Sequence, residues 1–310
     1  MMKNIKLMSW ALFIFVMIYR SPGIVQGAFE DPYWSARVAA LGGAFTAVSD
    51  DASQVFYNSA AGAMVRKRQV DFTYAKLFLG LEEVNFSLNH AGFHQPLGER
   101  TAMGAGWGNL STAYYKEHTF AISFSRDLTP WMDKYGAELS AGITLKYLTR
   151  NFDLDERAKS DPVFKEGSRT HNAAVDLHLY SVPNLAFLPG LSLGLSIKSI
   201  NRPNIGFKKD DPLPTEVSGG LAYRYNQFLF PLDVSSDRGN IRTHLGLERS
   251  LWQNRMVFRL GSDITQIGTG FGYEQPFSTS FGLHIDYTFL WPLELRETYG
   301  SHRMTLGIKF

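Results

Sequence analysis

The chain has no cysteine among its 310 residues. That absence excludes a disulfide scaffold, an iron–sulfur cluster, a cysteine-based zinc site and a thiol nucleophile. Charge is also scarce, at 19% of residues, and only one long apolar run occurs, near the N-terminus. A polytopic helical membrane protein is therefore excluded. No His-Glu-x-x-His, Gly-x-Ser-x-Gly or P-loop pattern is present, so the common hydrolase and nucleotide sites have no foothold. What is abundant is glycine, with 28 residues, and aromatic side chains, at 14%. That mixture suits a β-rich protein whose outer surface need not be polar. The length allows one large domain or two ordinary ones.

Residues 1–27 read as a secretory signal peptide. Lys3 and Lys6 form a basic start, Leu7–Tyr19 an apolar stretch, and Val25-Gln26-Gly27 a small-residue cleavage site before Ala28. A helical anchor is the weaker reading, because a span needs about 20 apolar residues and Arg20 interrupts this run. The segment carries three positive charges and no acid. Removing them from a formal net charge of +2 leaves the remainder near −1, which gives no nucleic-acid footprint.

Beyond residue 27 the pattern alternates with period two, the mark of a sheet with two different environments. Leu139, Ala141, Ile143, Leu145 and Tyr147 share one face, with Ser140, Gly142, Thr144 and Lys146 on the other. Phe281, Leu283, Ile285, Tyr287 and Phe289 alternate likewise with Gly282, His284, Asp286 and Thr288. A soluble sandwich and a transmembrane barrel both produce this pattern. Export, strand lengths near the 9–11 residues of a tilted span, and aromatics towards strand ends favour the barrel. About fourteen strands can be placed between residues 69 and 310, an even number as single-chain barrels require. With a periplasmic N-terminus, the long segments Asp153–Ser168, Asn201–Thr215 and Trp291–Gly300 fall outside. The expected fold is all-β: a transmembrane antiparallel β-barrel of about fourteen strands (68–310) preceded by a small N-terminal helical hatch in the lumen (28–67).

The hatch expectation rests on Ala36–Met64, which is rich in small residues and not strand-like; Asp50 is placed to cap a short helix through Tyr57. A periplasmic extension or a first strand pair is the alternative. This stretch resembles the hatch signature of FadL-type outer-membrane proteins, including the PorV/PorQ family. The resemblance is carried by Leu41-Gly42-Gly43-Ala44-Phe45, Asp50-Asp51-Ala52-Ser53 and Phe56-Tyr57-Asn58-Ser59-Ala60-Ala61-Gly62. The segments Pro214–Tyr225, Leu283–Phe289 and Ser301–Phe310 are similar too. The family's Asn-Pro-Ala turn is here Asn58-Ser59-Ala60, so a freer φ and a softer turn are expected.

The resemblance implies outer-membrane localisation in a diderm bacterium, outer-membrane lipid as surroundings, and no enzyme activity, cofactor or metal. The end motifs lean towards the PorV/PorQ type, a partner in type IX-like protein export that meets secreted cargo or the secretion machinery. The alternative is a FadL-like channel for hydrophobic small molecules with a lateral opening. On the latter reading Gly104, Gly106 and Gly108 mark a kinked third strand; otherwise they make space for the hatch. His284 beside Asp286 reads as a structural lumen pair more readily than as an acid–base pair. Asp50-Asp51 and Asp210-Asp211 have the chemistry of calcium ligands but fit a helix start and a solvated loop better.

Overall fold

The computed structural model describes residues 28–29, 32–48, 50–81, 85–132, 136–156, 158–164, 167–295 and 297–310. The expected signal segment 1–27 lies outside the described residues. Residues 1–30 and 31–310 form separate compact units, and the following description is of the second.

Fourteen strands close on themselves in sequence order. They are β1 (Gln69–Leu77), β2 (Phe86–Pro96), β3 (Thr101–Ser111), β4 (Tyr115–Asp127), β5 (Glu138–Phe152), β6 (Arg169–Val182) and β7 (Leu191–Lys198). The second half comprises β8 (Glu216–Tyr225), β9 (Phe228–Asp237), β10 (Asn240–Leu251), β11 (Met256–Ser262), β12 (Gln266–Pro276), β13 (Gly282–Pro292) and β14 (Ser301–Lys309). All neighbours are antiparallel, and β1 pairs with β14 from Gln69↔Lys309 to Lys76↔His302. Closure gives every strand a paired neighbour on both sides. The fold is a transmembrane-type antiparallel β-barrel, and no described helix is long and apolar enough to cross a bilayer.

The alternation sets the two faces. On β1, Asp71 and Thr73 are buried inward while Phe72 and Tyr74 are each 56% exposed outward. On β13, Asp286 and Thr288 point in and Ile285 and Tyr287 point out. Outward Ile122, Leu145, Phe258, Leu260 and Met304 continue an apolar belt around the barrel. A patch of that extent far exceeds what a water-soluble monomer tolerates. One rim carries the connections 153–168 and 199–215, the longest in the barrel; the other carries the turns 226–227 and 252–255 and both ends of the sheet.

The segment before β1 packs inside. Helix α1 (Ala36–Ala40) is capped by Ser35, and two 3-10 helices follow, Ala52–Phe56 and Ser59–Met64. Asp51, not Asp50, caps the first 3-10 helix, accepting from the Ser53 N–H at 3.0 Å. Asp50 is instead drawn into an ion pair with Arg37 at 2.5 Å, a stronger partner than a single amide.

Candidate functional site

Most of the hatch is buried: Val38, Leu41, Phe45 and Val55 have no exposed surface. It lies on glycines of the wall. A Cβ at Gly268 would meet the Ala39 carbonyl at 2.6 Å, one at Gly142 the Ala60 nitrogen at 2.6 Å, and one at Gly92 the Ala52 carbonyl at 2.9 Å. Gly194 and Gly261 sit equally close to Thr46 and to Leu41–Gly42. The sequence reading missed these positions, although glycine on the polar face of strand after strand was the available signal. Gly42 and Gly43 themselves turn the chain with φ of 64° and 84°, a region costly for other residues. Gly43 also makes room for the Tyr33 ring.

Gly104, Gly106 and Gly108 face the same interior. A side chain at Gly106 would strike Val55 and Phe56, and one at Gly108 the Trp34 ring. β3 is paired without interruption to β2, from Ser87↔Ser111 to Pro96↔Ala102, and to β4, from Thr101↔Arg126 to Ser111↔Lys116.

The turn at Asn58 is held from several sides. Its amide donates to the Thr46 and Leu179 carbonyls, each at 2.9 Å, and its oxygen accepts from Ala60 N–H at 3.1 Å. Ser59 accepts from Thr144 at 3.1 Å, and Ser140 donates to the Ala60 carbonyl at 2.8 Å. The missing proline is thus offset by side-chain bonds to β5 and by the Asn58 amide on the Leu179 carbonyl of β6.

Below the hatch, towards the short-turn rim, the lumen is ionic. Arg37 meets Glu248 at 2.9 Å, Glu248 meets Arg259 at 2.8 Å, and Arg259 meets Asp286 at 2.5 Å. Burial disfavours the Arg37 charge, but Asp50, Glu248 and Asp51 outweigh it and raise its pKa well above the ordinary guanidinium value. These groups border a cavity of about 300 Å³, with Arg224 and Asp50 on its wall. His284 lies 3.4 Å from Asp71 and 3.9 Å from Asp286, a carboxylate setting without the geometry of a nucleophile–base pair. Among the described residues no cluster suited to a metal ion is found. Asp210 is bonded to Asn204, and Asp211 lies 3.6 Å from Arg150.

Above the hatch, at the long-loop rim, the chemistry changes. Tyr115, Phe152, Phe164 and Phe207 form one aromatic cluster with ring centroids 4.7–5.7 Å apart. The Arg150 guanidinium lies 4.7 Å from the Phe207 ring centre. Beside this cluster the wall is incomplete. β6 pairs with β5 along its length, from Glu138↔Val182 to Asn151↔Arg169, but with β7 only from Leu177 to Ser181. Past Lys198 the chain leaves the sheet, with positive φ at Ser199 and Arg202. The edge of β6 beyond Leu177 is closed by the 200–201 segment: Ile200 N–H donates to the Val175 carbonyl at 3.0 Å, and the Asn201 side chain donates to the Ala173 carbonyl at 2.7 Å and accepts from Val175 N–H at 3.1 Å. Ala173 is the register partner of Tyr147, which belongs to the outward aromatic belt with Phe120. The gap in pairing therefore sits at belt level.

No protein-family model and no curated protein matches the chain. Solved structures do. The CymD monoaromatic hydrocarbon channel aligns with TM-score 0.62 at 13% identity, covering 91% of this chain and 98% of that one. The chain has a FadL-like barrel fold. The Ralstonia pickettii toluene transporter TbuX aligns at 0.59 and 11% identity over 89% and 97%, and the Pseudomonas putida toluene transporter TodX at 0.51 and 12% over 89% and 97%. At such identities the likeness is one of fold, and it carries no particular kinship to the PorV/PorQ type.

Proposed function

We propose that this protein is a non-enzymatic outer-membrane channel for hydrophobic small molecules, which enter at the long-loop rim and leave sideways through the wall. The observation that carries this reading is the contrast between the two ways out. Straight ahead lie a buried hatch and an ionic cavity, where an apolar solute would displace hydration and gain no contacts. To the side, next to four clustered aromatic rings, the β6–β7 seam is shut not by a strand ladder but by the Asn201 amide and one backbone bond from Ile200, at the level of the lipid-facing belt. An apolar solute gains roughly 25 cal/mol for each Å² it removes from water along that path. Full-length likeness to hydrocarbon and toluene channels supports the same reading. An opening at Gly104, Gly106 and Gly108 would have to break a ladder that is continuous on both sides of β3.

The test is uptake by whole cells, because the lipopolysaccharide leaflet, not a simple bilayer, is the barrier to such solutes. Cells carrying the gene should take up a labelled monoaromatic hydrocarbon faster than cells lacking it, with no change for a sugar of similar size. Equal rates would remove the channel reading. The second reading, a PorV/PorQ-type partner in protein export, is favoured by the tight tethering of the hatch signature at Asn58. It requires that a secreted protein or a secretion component co-purify with the barrel.

A further inference from the structure

The rim at which the sheet begins and ends is basic over one continuous arc. Arg66, Lys67 and Arg68 precede β1, Arg100 lies in the β2–β3 turn, Arg126 lies near the end of β4, and all five are exposed. Their backbones belong to one surface. Arg68 exchanges two hydrogen bonds with Phe310, at 2.9 and 3.0 Å, and Arg126 is the register partner of Thr101. Asp127 N–H donates to the Arg100 carbonyl at 2.7 Å. Arg66 donates to the Glu99 carbonyl, and the Lys67 ammonium reaches the Thr279 carbonyl at 2.7 Å in the β12–β13 turn. The acids on or beside the arc are Glu99, Asp127, whose carboxylate accepts from Thr129 N–H, and exposed Glu138 at the start of β5. Among the described residues none of the five cations makes an ion pair. The opposite rim mixes its charges: the 153–164 stretch carries Asp153, Asp155, Glu156 and Asp161 together with Arg157 and Lys159.

The arc also adjoins apolar surface. Leu97, Phe277, Phe281 and Phe310 are exposed along it, and the Phe277 and Phe281 rings pack at 5.5 Å. Directly beyond it runs the outward stripe of Val70, Phe72, Met103 and Phe124. Cations that border an acyl-facing stripe match a molecule with a phosphate at one end and hydrocarbon at the other. Guanidinium groups suit that phosphate because they donate to two oxygens at once.

We propose that this arc binds the headgroup of an anionic phospholipid in the adjacent leaflet, of the phosphatidylglycerol class, with its acyl chains along the β1–β4 stripe. The continuity of the charged arc with that stripe favours a lipid over an acidic protein. Basic residues near a membrane surface each add attraction that fades within a Debye length, so binding must weaken with salt.

The full chain, purified in zwitterionic detergent, is titrated with phosphatidylglycerol and with phosphatidylcholine of the same chains, and bound lipid is counted by native mass spectrometry. A preference for the anionic lipid of about tenfold is expected at low salt. Arg66→Gln/Lys67→Gln/Arg68→Gln should reduce it to near parity. Because those residues lead into β1, Arg100→Gln/Arg126→Gln provides a second variant with the same expected loss. Arg249→Gln/Arg255→Gln, exposed on the same rim but away from the arc, should keep the preference. Heat-modifiable migration verifies folding of each. No preference in the parent chain, a preference surviving both arc variants, or equal loss in the control would overturn the proposal. Retention of an acidic protein without anionic lipid would overturn it as well.

Discussion

Arg37 on the hatch and Glu248 on the wall meet as a two-pronged pair, Nε to Oε2 at 2.9 Å and Nη2 to Oε1 at 3.3 Å, with little of either side chain in contact with solvent. The pair joins the hatch to β10. Removing Glu248 leaves two buried guanidinium groups with one carboxylate fewer between them; Arg37 keeps Asp50 and Asp51 and Arg259 keeps Asp286, so the cost falls below the about 3–5 kcal/mol of a fully stranded buried charge. Glu248→Ala should therefore lower the thermal midpoint in detergent and raise ion conductance across planar bilayers as the hatch loosens. The double variant Arg37→Met/Glu248→Leu should recover part of the stability, because it also takes Arg37 from Asp50 and Asp51. A Glu248→Ala protein as stable and as tightly sealed as the parent would show that the pair does not hold the hatch.

Gly106 faces Val55 and Phe56, and a Cβ there would lie 2.6 Å from both side chains. Gly106→Val should cost about 1–3 kcal/mol, the usual range for overpacking a filled interior. Trimming the partner tests the cause: Gly106→Val/Phe56→Leu should be less destabilised than the sum of the single changes. Denaturant unfolding in detergent measures all three. Strict additivity would argue that the strain lies in the strand itself.

The barrel was legible in the sequence because one rule, period-two alternation, repeats in most strands. Leu139–Tyr147 and Phe281–Phe289 face as their pattern requires, outward apolar and inward polar. The hatch was legible as a non-strand insert, but its contacts were not. Asp50 looked like a cap and became an ion-pair partner, because the competing carboxylate donor, Arg37, is thirteen residues away in sequence. The β6–β7 seam was hidden for a related reason. Asn201 reads as a loop residue, and only the register shows that its amide takes the place of a strand. Pairing partners on β5 and β7 are set by closure of the whole sheet, which no local pattern encodes.

Asn58 is wholly buried and satisfies three backbone groups at once, the Thr46 and Leu179 carbonyls and the Ala60 N–H. Asn58→Ala removes all three bonds, and at about 1–3 kcal/mol for each buried group left unsatisfied the loss should be among the largest in the hatch. Ser59→Pro should be mild by contrast. Asn58 already sits at φ −150° and ψ 90°, an extended geometry compatible with a following proline, and the first position of a helix tolerates proline. Chemical denaturation separates the two. If Ser59→Pro proves as damaging as Asn58→Ala, the bond from Thr144 to the Ser59 hydroxyl matters more than the turn geometry.

At the β6–β7 seam Asn201 stands where a strand would otherwise pair. Its amide closes the Ala173 carbonyl and the Val175 N–H, which in a complete barrel would pair with β7. Asn201→Ala removes both bonds while the 200–201 backbone keeps only the Ile200 N–H to Val175 carbonyl contact at 3.0 Å. The seam should open more often, and uptake of a monoaromatic hydrocarbon by cells should rise severalfold with little change in thermal midpoint, because the hatch and its ion pairs are untouched. The absence of native cysteine permits the converse experiment. Ala173→Cys/Asn201→Cys, oxidised to a disulfide, should pin the seam and suppress uptake, and a reductant should restore it. A cross-linked barrel that still takes up the hydrocarbon at the parent rate would exclude this seam as the exit and redirect attention to the β3 glycines.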